Sequence, residues 1–199
     1  ILKGGDIRIV GKRIKSIAFT TDVAIIKNIN ADALIAVFPF TPQQTISQAI
    51  DGISDVPVFV GVGGGITGGD RAVRLAIEAE NQGAFGVVVN APISDEVISH
   101  IKQVVDIPVI ATIVSDRMDI RSRVEAGADF LNVSGAAATP QIVRSIRAQF
   151  QDVPNLATGG PNEKTILETI RAGANAITYS PPSNGALFAD IMQKYRGKL

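Results

Sequence analysis

The feature that most constrains the fold of this chain is a repeat. Short apolar segments alternate with helix-like segments, and two signals recur with that alternation. Asp-Val/Ile-Pro begins at Asp55, Asp106 and Asp152, each time just before an apolar run. A step of small residues precedes the four runs that alternate with these, at Ala31-Asp32-Ala33, Gly83-Ala84, Ala126-Gly127-Ala128 and Ala172-Gly173-Ala174. Like signals are roughly 50 residues apart, so each period holds two strand–helix units.

Four such periods predict eight strands that alternate with helices, which is typical of a parallel sheet. We predict strands at residues 14–19, 33–38, 58–62, 85–89, 109–113, 130–133, 153–157 and 174–179. Eight units favour an α/β fold, a (β/α)8 barrel near the minimum length for one. An open, doubly wound sheet is the alternative.

The N-terminal region predicts an additional hairpin. Residues 6–10 and 14–19 flank Gly11-Lys12-Arg13, which suggests a three-residue turn. We expect the arm within residues 1–14 to cap the barrel floor and the second arm to be the first barrel strand. With 199 residues, 46% of them hydrophobic, residues 1–199 are expected to form one domain with a sizeable core.

Composition excludes several classes of function. The formal net charge is 0, so neither nucleic acid nor a membrane surface is an expected partner. The chain has no Cys, which excludes disulfides and a thiol nucleophile and is compatible with the expected cytoplasmic location. The first residues lack the long apolar stretch of a signal peptide. A homo-oligomer is left open.

In a (β/α)8 barrel the chemistry lies at the C-terminal ends of the strands. Amides follow or end two strands at Asn90 and Asn132, where they could orient a substrate. Asp22 and Asp116 are carboxylates near the same face, and each also occupies a position suited to a helix N-cap. We predict an acid–base role for one of them. A divalent metal held by both is left open, and the metal set is otherwise unassigned.

A glycine-rich run follows the third predicted barrel strand. Gly63, Gly64 and Gly65 are expected to let a ligand approach the backbone closely or to form a lid. The run also matches G-x-G-x-x-G, but Asn90 stands where a dinucleotide site needs an acid, so a nucleotide cofactor is not expected. The only His, His100, is expected on the apolar side of its helix in a structural role, so no Ser-His-Asp triad is predicted.

Residues 152–180 predict an anion site. A strand ends in Gly159-Gly160, and a helix capped by Asn162 follows, so backbone N–H groups and a helix N-terminus meet there. Ser180, at the end of the next strand, could add a hydroxyl. We expect Gly160→Asp to abolish anion binding at little cost in stability, provided that the backbone there tolerates a Cβ.

Residues 130–180 resemble the phosphate-binding (β/α)8 barrels, and most closely the 2-keto-3-deoxy-6-phosphogluconate aldolases. Ala157-Thr158-Gly159-Gly160 is similar to the Pro-Thr-Gly-Gly that ends strand 7 in those enzymes, and Ala172-Gly173-Ala174 to their following small-residue step. The resemblance implies that Gly159, Gly160 and Ser180 hold phosphate and that Thr158 faces the substrate. The Schiff-base Lys of those aldolases is missing from residues 130–133, and Pro181 and Pro182 remove two backbone donors after Ser180.

These patterns predict an enzyme acting on a small anionic metabolite, phosphorylated or a keto acid, by lyase- or isomerase-like chemistry. Two alternatives stay open. One is a hydrolase, metal-assisted through Asp22 and Asp116. The other is a non-catalytic barrel that binds a metabolite and signals.

Overall fold

A computed structural model describes residues 5–197 of the chain. After a two-stranded hairpin, β1 (Ile7–Ile9) and β2 (Lys12–Ile14), eight parallel strands form a closed barrel in sequence order. They are β3 (Ser16–Phe19), β4 (Ala33–Ala36), β5 (Val58–Gly63), β6 (Gly86–Val89), β7 (Val109–Ile113), β8 (Phe130–Val133), β9 (Asn155–Thr158) and β10 (Ala176–Tyr179). The last strand pairs with β3, which closes the ring and confirms the predicted (β/α)8 barrel.

A helix follows each barrel strand within residues 5–197. The helices are α1 (Val23–Asn28), α2 (Gln44–Ile53), α3 (Gly69–Asn81), α4 (Asp95–Val104), α5 (Ile120–Glu125), α6 (Thr139–Gln149), α7 (Glu163–Arg171) and α8 (Asn184–Arg196), with a 3₁₀ turn at Ala136–Ala138 before α6. In this part of the chain, no helix combines the length and the apolar character that a membrane crossing requires.

The hairpin differs from the prediction in its turn. Ile9 pairs with Lys12, so the turn is the two-residue Val10-Gly11 rather than Gly11-Lys12-Arg13. Both turn residues have positive φ, 47° and 76°, as a type I′ turn requires to match the twist of its strands. The second arm ends at Ile14, and the first barrel strand is the separate β3. Residues 1–4 of the predicted arm lie outside the described residues.

The hairpin closes the N-terminal end of the barrel. Its side chains Ile7, Ile9 and Ile14 are buried in one cluster with the inward-facing Phe130 and Ala176, which begin their strands. Burial of these branched side chains contributes stability to the floor and leaves the opposite end of the barrel for a ligand.

Alternation along each strand separates an inner from an outer core. On β10, Ala176 belongs to the inner cluster, whereas Ile177 belongs to the cluster between strands and helices. The inner cluster is apolar through Ile17, Ile35, Phe59, Val88, Ile110, Phe130, Leu156 and Ala176. Because side chains on one face recur every second residue, the next inward positions toward the mouth include Thr112, Asn132, Thr158 and Thr178. The interior therefore changes from apolar to polar toward the C-terminal end.

The small-residue step of the repeat has a structural role at the floor. In three of its four copies, an Asp or Asn in or beside the step accepts the N–H that begins the preceding strand. The bonds run from Ser16 to Asp32 (2.9 Å), from Val109 to Asp129 (2.8 Å) and from Asn155 to Asn175 (2.9 Å). The side chains thus supply acceptors for the first N–H groups of these strands.

Several helix starts differ from what the sequence predicts. Thr-Pro at Thr41 and at Thr139 is a typical helix start. Thr41 does not cap α2, whose N-cap is Gln43, and Thr139 lies inside α6, where its hydroxyl accepts the Gly135 N–H at 3.0 Å. The N-cap of α5 is Asp119, so Asp116 is not a cap and lies in the loop before it. Of the two carboxylates predicted to be helix N-caps, Asp22 and Asp116, only Asp22 is one.

The Asp32 floor contact gives a pH prediction. Burial raises the pKa of Asp32, but hydrogen bonds from the Lys15 and Ser16 N–H groups and the Ser16 hydroxyl outweigh it, so the pKa is lowered from 3.8. A lowered pKa stabilises the fold above pH 3.8, and this contribution is lost as the pH falls through the folded-state pKa. Asp32→Asn should cost about 1 kcal/mol at pH 7 because the side chain is solvent-exposed. In chemical denaturation, its difference from wild type should shrink below about pH 4; a difference that persists undiminished at pH 2 would contradict the charge argument.

Candidate functional site

A cavity of about 180 Å³ opens at the mouth of the barrel. It lies where the C-terminal ends of β3, β4 and β8 to β10 converge. Its lining consists of Phe19, Ile35, Asn132, Ser134, Thr158, Thr178, Tyr179 and Ser180. This is the position at which (β/α)8 barrels bind ligands.

The cavity has an apolar and a polar wall. Phe19 and Ile35, from β3 and β4, form the apolar side, and hydroxyl and amide groups from β8 to β10 form the polar side. None of the lining residues carries a formal charge at neutral pH. Such a lining can orient a ligand by neutral hydrogen bonds and by contact with its apolar surface.

Two buried polar atoms of this lining lack a partner in the described part of the chain. The Asn132 amide nitrogen donates to the Thr112 hydroxyl at 3.3 Å, but its Oδ1 accepts nothing. The Thr178 hydroxyl is also unpartnered, although Thr178 is only 5% exposed. An unsatisfied buried polar group costs about 1–3 kcal/mol, so a hydrogen bond between either atom and a ligand or an ordered water would be favourable.

A second hydrogen bond holds the polar wall together. The Thr158 hydroxyl donates to the Ser134 hydroxyl at 3.4 Å, which links β9 to the loop after β8. Tyr179, the neighbour of Thr178, packs against the cluster between strands and helices, and the pKa of its phenol is raised by burial and then by the charge of Asp32. The phenol therefore stays protonated at neutral pH and cannot serve as a base there.

The two glycines of the predicted anion site differ in their surroundings. Gly159 is buried, and its N–H is already used by the Thr178 carbonyl at 3.0 Å. Gly160 is exposed, and within residues 5–197 its N–H has no acceptor. As predicted, Asn162 caps α7: its Oδ1 accepts the Thr165 N–H at 3.0 Å, and its own N–H donates to the Thr165 hydroxyl. The Gly160 N–H thus remains a free donor of the described chain just before this helix, close in sequence to Thr158 of the lining.

The two predicted acid–base carboxylates lie in different surroundings, and neither lines the mouth cavity. Both oxygens of Asp22 are occupied: Oδ1 accepts the N–H groups of Ala24 and Ile25, and Oδ2 accepts the Asn184 N–H at 3.0 Å. The hydrogen bond from the Asn184 N–H has the largest effect on the Asp22 pKa and lowers it, and the bonds from Ile25 and Ala24 lower it further. Asp116 is exposed on the β7–α5 loop, 3.5 Å from the Ser115 hydroxyl.

These surroundings do not fit a divalent metal. In the part of the chain that the structure describes, no group of three or more His, Asp or Glu side chains could hold an ion. The Asp22 oxygens that a metal would need are engaged in capping α1 and in anchoring α8.

The glycine run and Asn90 lie at a different part of the mouth. Gly63, Gly64 and Asn90 line a small cavity of about 30 Å³ with Phe38 and Phe40, which has room for one or two waters. A Cβ on Gly64 would lie 2.4 Å from the Asn90 Cβ, so glycine there permits close contact with β6. Gly65 is exposed in the turn closed by the Gly64 N–H and the Thr67 carbonyl, and lines neither cavity.

Two further residues differ from their predicted roles. His100 was expected on the apolar side of α4, where Val97 and Ile101 are buried, but its side chain is exposed to solvent. Thr178 lines the cavity but was not predicted as a site residue. Its signal in the sequence is a hydroxyl two positions before Ser180, on the same face of an otherwise apolar strand.

The sequence matches no protein-family model, and no curated protein matches it. The fold is similar to solved (β/α)8 enzymes. A 2,3-dimethylmalate lyase of the PEP mutase/isocitrate lyase superfamily matches with a TM-score of 0.70 and 17% identity, over 94% of this chain and 82% of that one. Phosphoenolpyruvate phosphomutase from Streptomyces platensis subsp. rosaceus matches at 0.67 and 17%, over 92% and 80%. An aldolase, QR15, matches at 0.63 and 18%, over 94% and 96%. At these identities the likeness concerns the fold.

Proposed function

We propose that this chain is a lyase-like enzyme whose substrate, a small anionic metabolite that is phosphorylated or a keto acid, binds in the mouth cavity. The observation that carries this proposal is the pair of unpartnered buried atoms, Asn132 Oδ1 and Thr178 Oγ1, in a cavity of about 180 Å³. A substrate hydroxyl that formed a hydrogen bond with each atom would offset the cost of their desolvation.

Each part of the lining then has a role. Asn132, Thr158 and Thr178 orient the oxygens of the substrate, and Phe19 covers its carbon skeleton. The anionic group binds at the rim, where the Gly160 N–H, the Ser180 hydroxyl and the N-terminal end of α7 attract negative charge. The aldolase and lyase activities named for proteins of similar fold support the reaction class.

Acid–base chemistry requires a group from outside this neutral lining. Asp116 is the better placed of the two predicted carboxylates, because its loop follows β7 at the same face and its oxygens are exposed. Asp22 has a positioning role, since its carboxylate connects the starts of α1 and α8. Closure of the β7–α5 loop would bring Asp116 to the substrate.

A non-catalytic metabolite-binding barrel is the second candidate. The specific observation in its favour is the absence of charged side chains from the cavity lining, since binding needs only oriented neutral groups. The metal-assisted hydrolase receives no support from the residues around Asp22 and Asp116.

A ligand panel and one variant distinguish these candidates. We expect phosphorylated or keto-acid metabolites to raise the melting temperature of the purified protein, since a ligand that binds the folded state stabilises it. Asp116→Asn should retain that shift and lose turnover of the same compound by roughly a hundredfold, the usual contribution of a general acid or base. Binding without turnover by the wild type would support the sensor. Absence of any shift across the panel would contradict both.

A further inference from the structure

The last helix is the one α-helix of the described chain without a buried residue. No residue of α8 is buried, and its large apolar side chains Leu187, Phe188, Ile191, Met192 and Tyr195 are between 41% and 61% exposed. Other amphipathic helices of the barrel, such as α4 and α6, bury their apolar residues against the strands. The exposure of α8 is therefore a property of this element and not of helices in the fold generally.

The five side chains form one stripe. At 100° per residue they fall within an arc of about 140°, with Ile191 and Tyr195 near its centre. Arg196 and Gln193 lie outside that arc. A stripe of this width is typical of a helix that packs on another surface.

Hydrogen bonds fix the start of α8, and with it the direction in which the apolar stripe faces. Ser183 caps the helix by accepting the Ala186 N–H at 3.1 Å, and the Asn184 N–H donates to Asp22. Beyond this anchor the helix must find its stability elsewhere, because an isolated helix of 13 residues is marginal in water.

We propose that α8 is a dimerisation element that packs antiparallel against α8 of a second copy of this chain. The stripe offers roughly 100 Å² from each of its side chains, or about 1,000 Å² in total from two copies, which reaches the lower limit for a specific interface. An antiparallel pair centred between Ile191 and Met192 places Phe188 of one copy opposite Tyr195 of the other. The apolar side chains of both copies are then covered by the same contact, as a two-fold interface requires.

The charges of α8 suit the same arrangement. Asp190 and Lys194 form an ion pair on one flank of the stripe, with Nζ 2.6 Å from Oδ2. Antiparallel packing brings this flank of both copies to the same side of the contact, with Asp190 of one beside Lys194 of the other, so the two pairs join into one alternating network. A parallel pair, whose two-fold axis runs along the helices, would place the two ion pairs on opposite sides of the contact. This charge pattern favours a second, antiparallel copy as the occupant of the stripe.

The oligomeric state of the full chain tests the proposal. By light scattering and sedimentation at micromolar concentration, we expect wild type to have the mass of a dimer and Ile191→Glu to have that of a monomer. Gln193→Glu, on the opposite side of the same helix, is the matched control and should remain dimeric. Circular dichroism and thermal melts of each variant verify that the barrel is folded, which is expected because α8 is solvent-exposed.

The absence of Cys allows a second, geometric readout. The Ile191→Cys substitution lies next to the two-fold axis and should give an intermolecular disulfide under mild oxidation, whereas Gln193→Cys should not. A monomeric wild type would overturn the proposal, as would an Ile191→Glu protein that stays dimeric. Dissociation by Ile191→Glu without cross-linking of the Ile191→Cys variant would overturn the antiparallel helix pair.

Discussion

Gly160→Asp is expected to reduce the affinity for phosphate or a phosphorylated ligand by roughly a hundredfold or more. The variant places a carboxylate at the start of α7, beside the one N–H of the glycine pair that has no acceptor within residues 5–197. Two like charges brought together in this way cost several kcal/mol. Titration calorimetry with inorganic phosphate and with a ligand identified by thermal shift measures the loss.

The same variant should also destabilise the fold, because the backbone at Gly160 does not meet the condition that a Cβ be tolerated there. Gly160 has a φ of +82°, and a Cβ there would lie 2.6 Å from the Thr165 Oγ1 that takes part in capping α7. Backbone strain of this kind costs about 1–3 kcal/mol. Gly160→Ala is the matched control, because it carries the strain without the charge. It should lose a similar amount of stability in urea denaturation and retain more of the binding.

The comparison between the two variants separates charge from backbone. If Gly160→Ala and Gly160→Asp lose binding equally, the carboxylate has no specific effect and the rim does not hold an anion. If neither changes the affinity for phosphate, the resemblance to phosphate-binding barrels is limited to the fold.

Thr178→Val is expected to stabilise the free protein and to weaken ligand binding. Valine has the shape of threonine, so the substitution removes an unpartnered hydroxyl from a residue that is 5% exposed without opening a cavity. Relief of that desolvation cost should add about 1 kcal/mol, or about 3 °C in melting temperature. The loss of one hydrogen bond to the ligand should reduce affinity by about tenfold.

Thr67 provides a matched control for this experiment. Its hydroxyl is also buried without a partner in the described residues, but Thr67 does not line the mouth cavity. Thr67→Val should therefore gain stability in the same way and leave the affinity unchanged. Equal weakening of binding by both variants, or a loss of stability in Thr178→Val, would show that the Thr178 hydroxyl is not a ligand-binding group.

The repeat was sufficient to predict the architecture because each of its signals has a local role at the start of a strand. Each Asp-Val/Ile-Pro or small-residue step marks the start of a strand, and the apolar strands of a parallel sheet must be covered on both faces. In the structure, the Asp or Asn of the step accepts a backbone N–H at the floor, as Asp32 and Asp129 do. A signal that recurs for this reason can be recognised without knowledge of the fold.

The polar mouth was predictable only in part. Asn132, Thr158 and Ser180 could be placed there because they end predicted strands, and the structure brings all three to one cavity. Asn90 ends its strand in the same way but faces a separate, smaller cavity with Gly63 and Gly64. Which strand ends share a cavity depends on the tilt and stagger of the barrel, which the order of residues along one strand does not contain.

Sequence alone thus determined the number of strand–helix units, the parallel barrel and the polar character of its open end, because these follow from local periodicity. Tertiary structure decided whether each polar group is free. It assigned the Asp22 carboxylate to two helix starts, left the Thr178 hydroxyl without a partner in the described residues and left the apolar stripe of α8 uncovered. The availability of a group for binding depends on which neighbours, distant in sequence, already occupy it, and that is known only when the chain has folded.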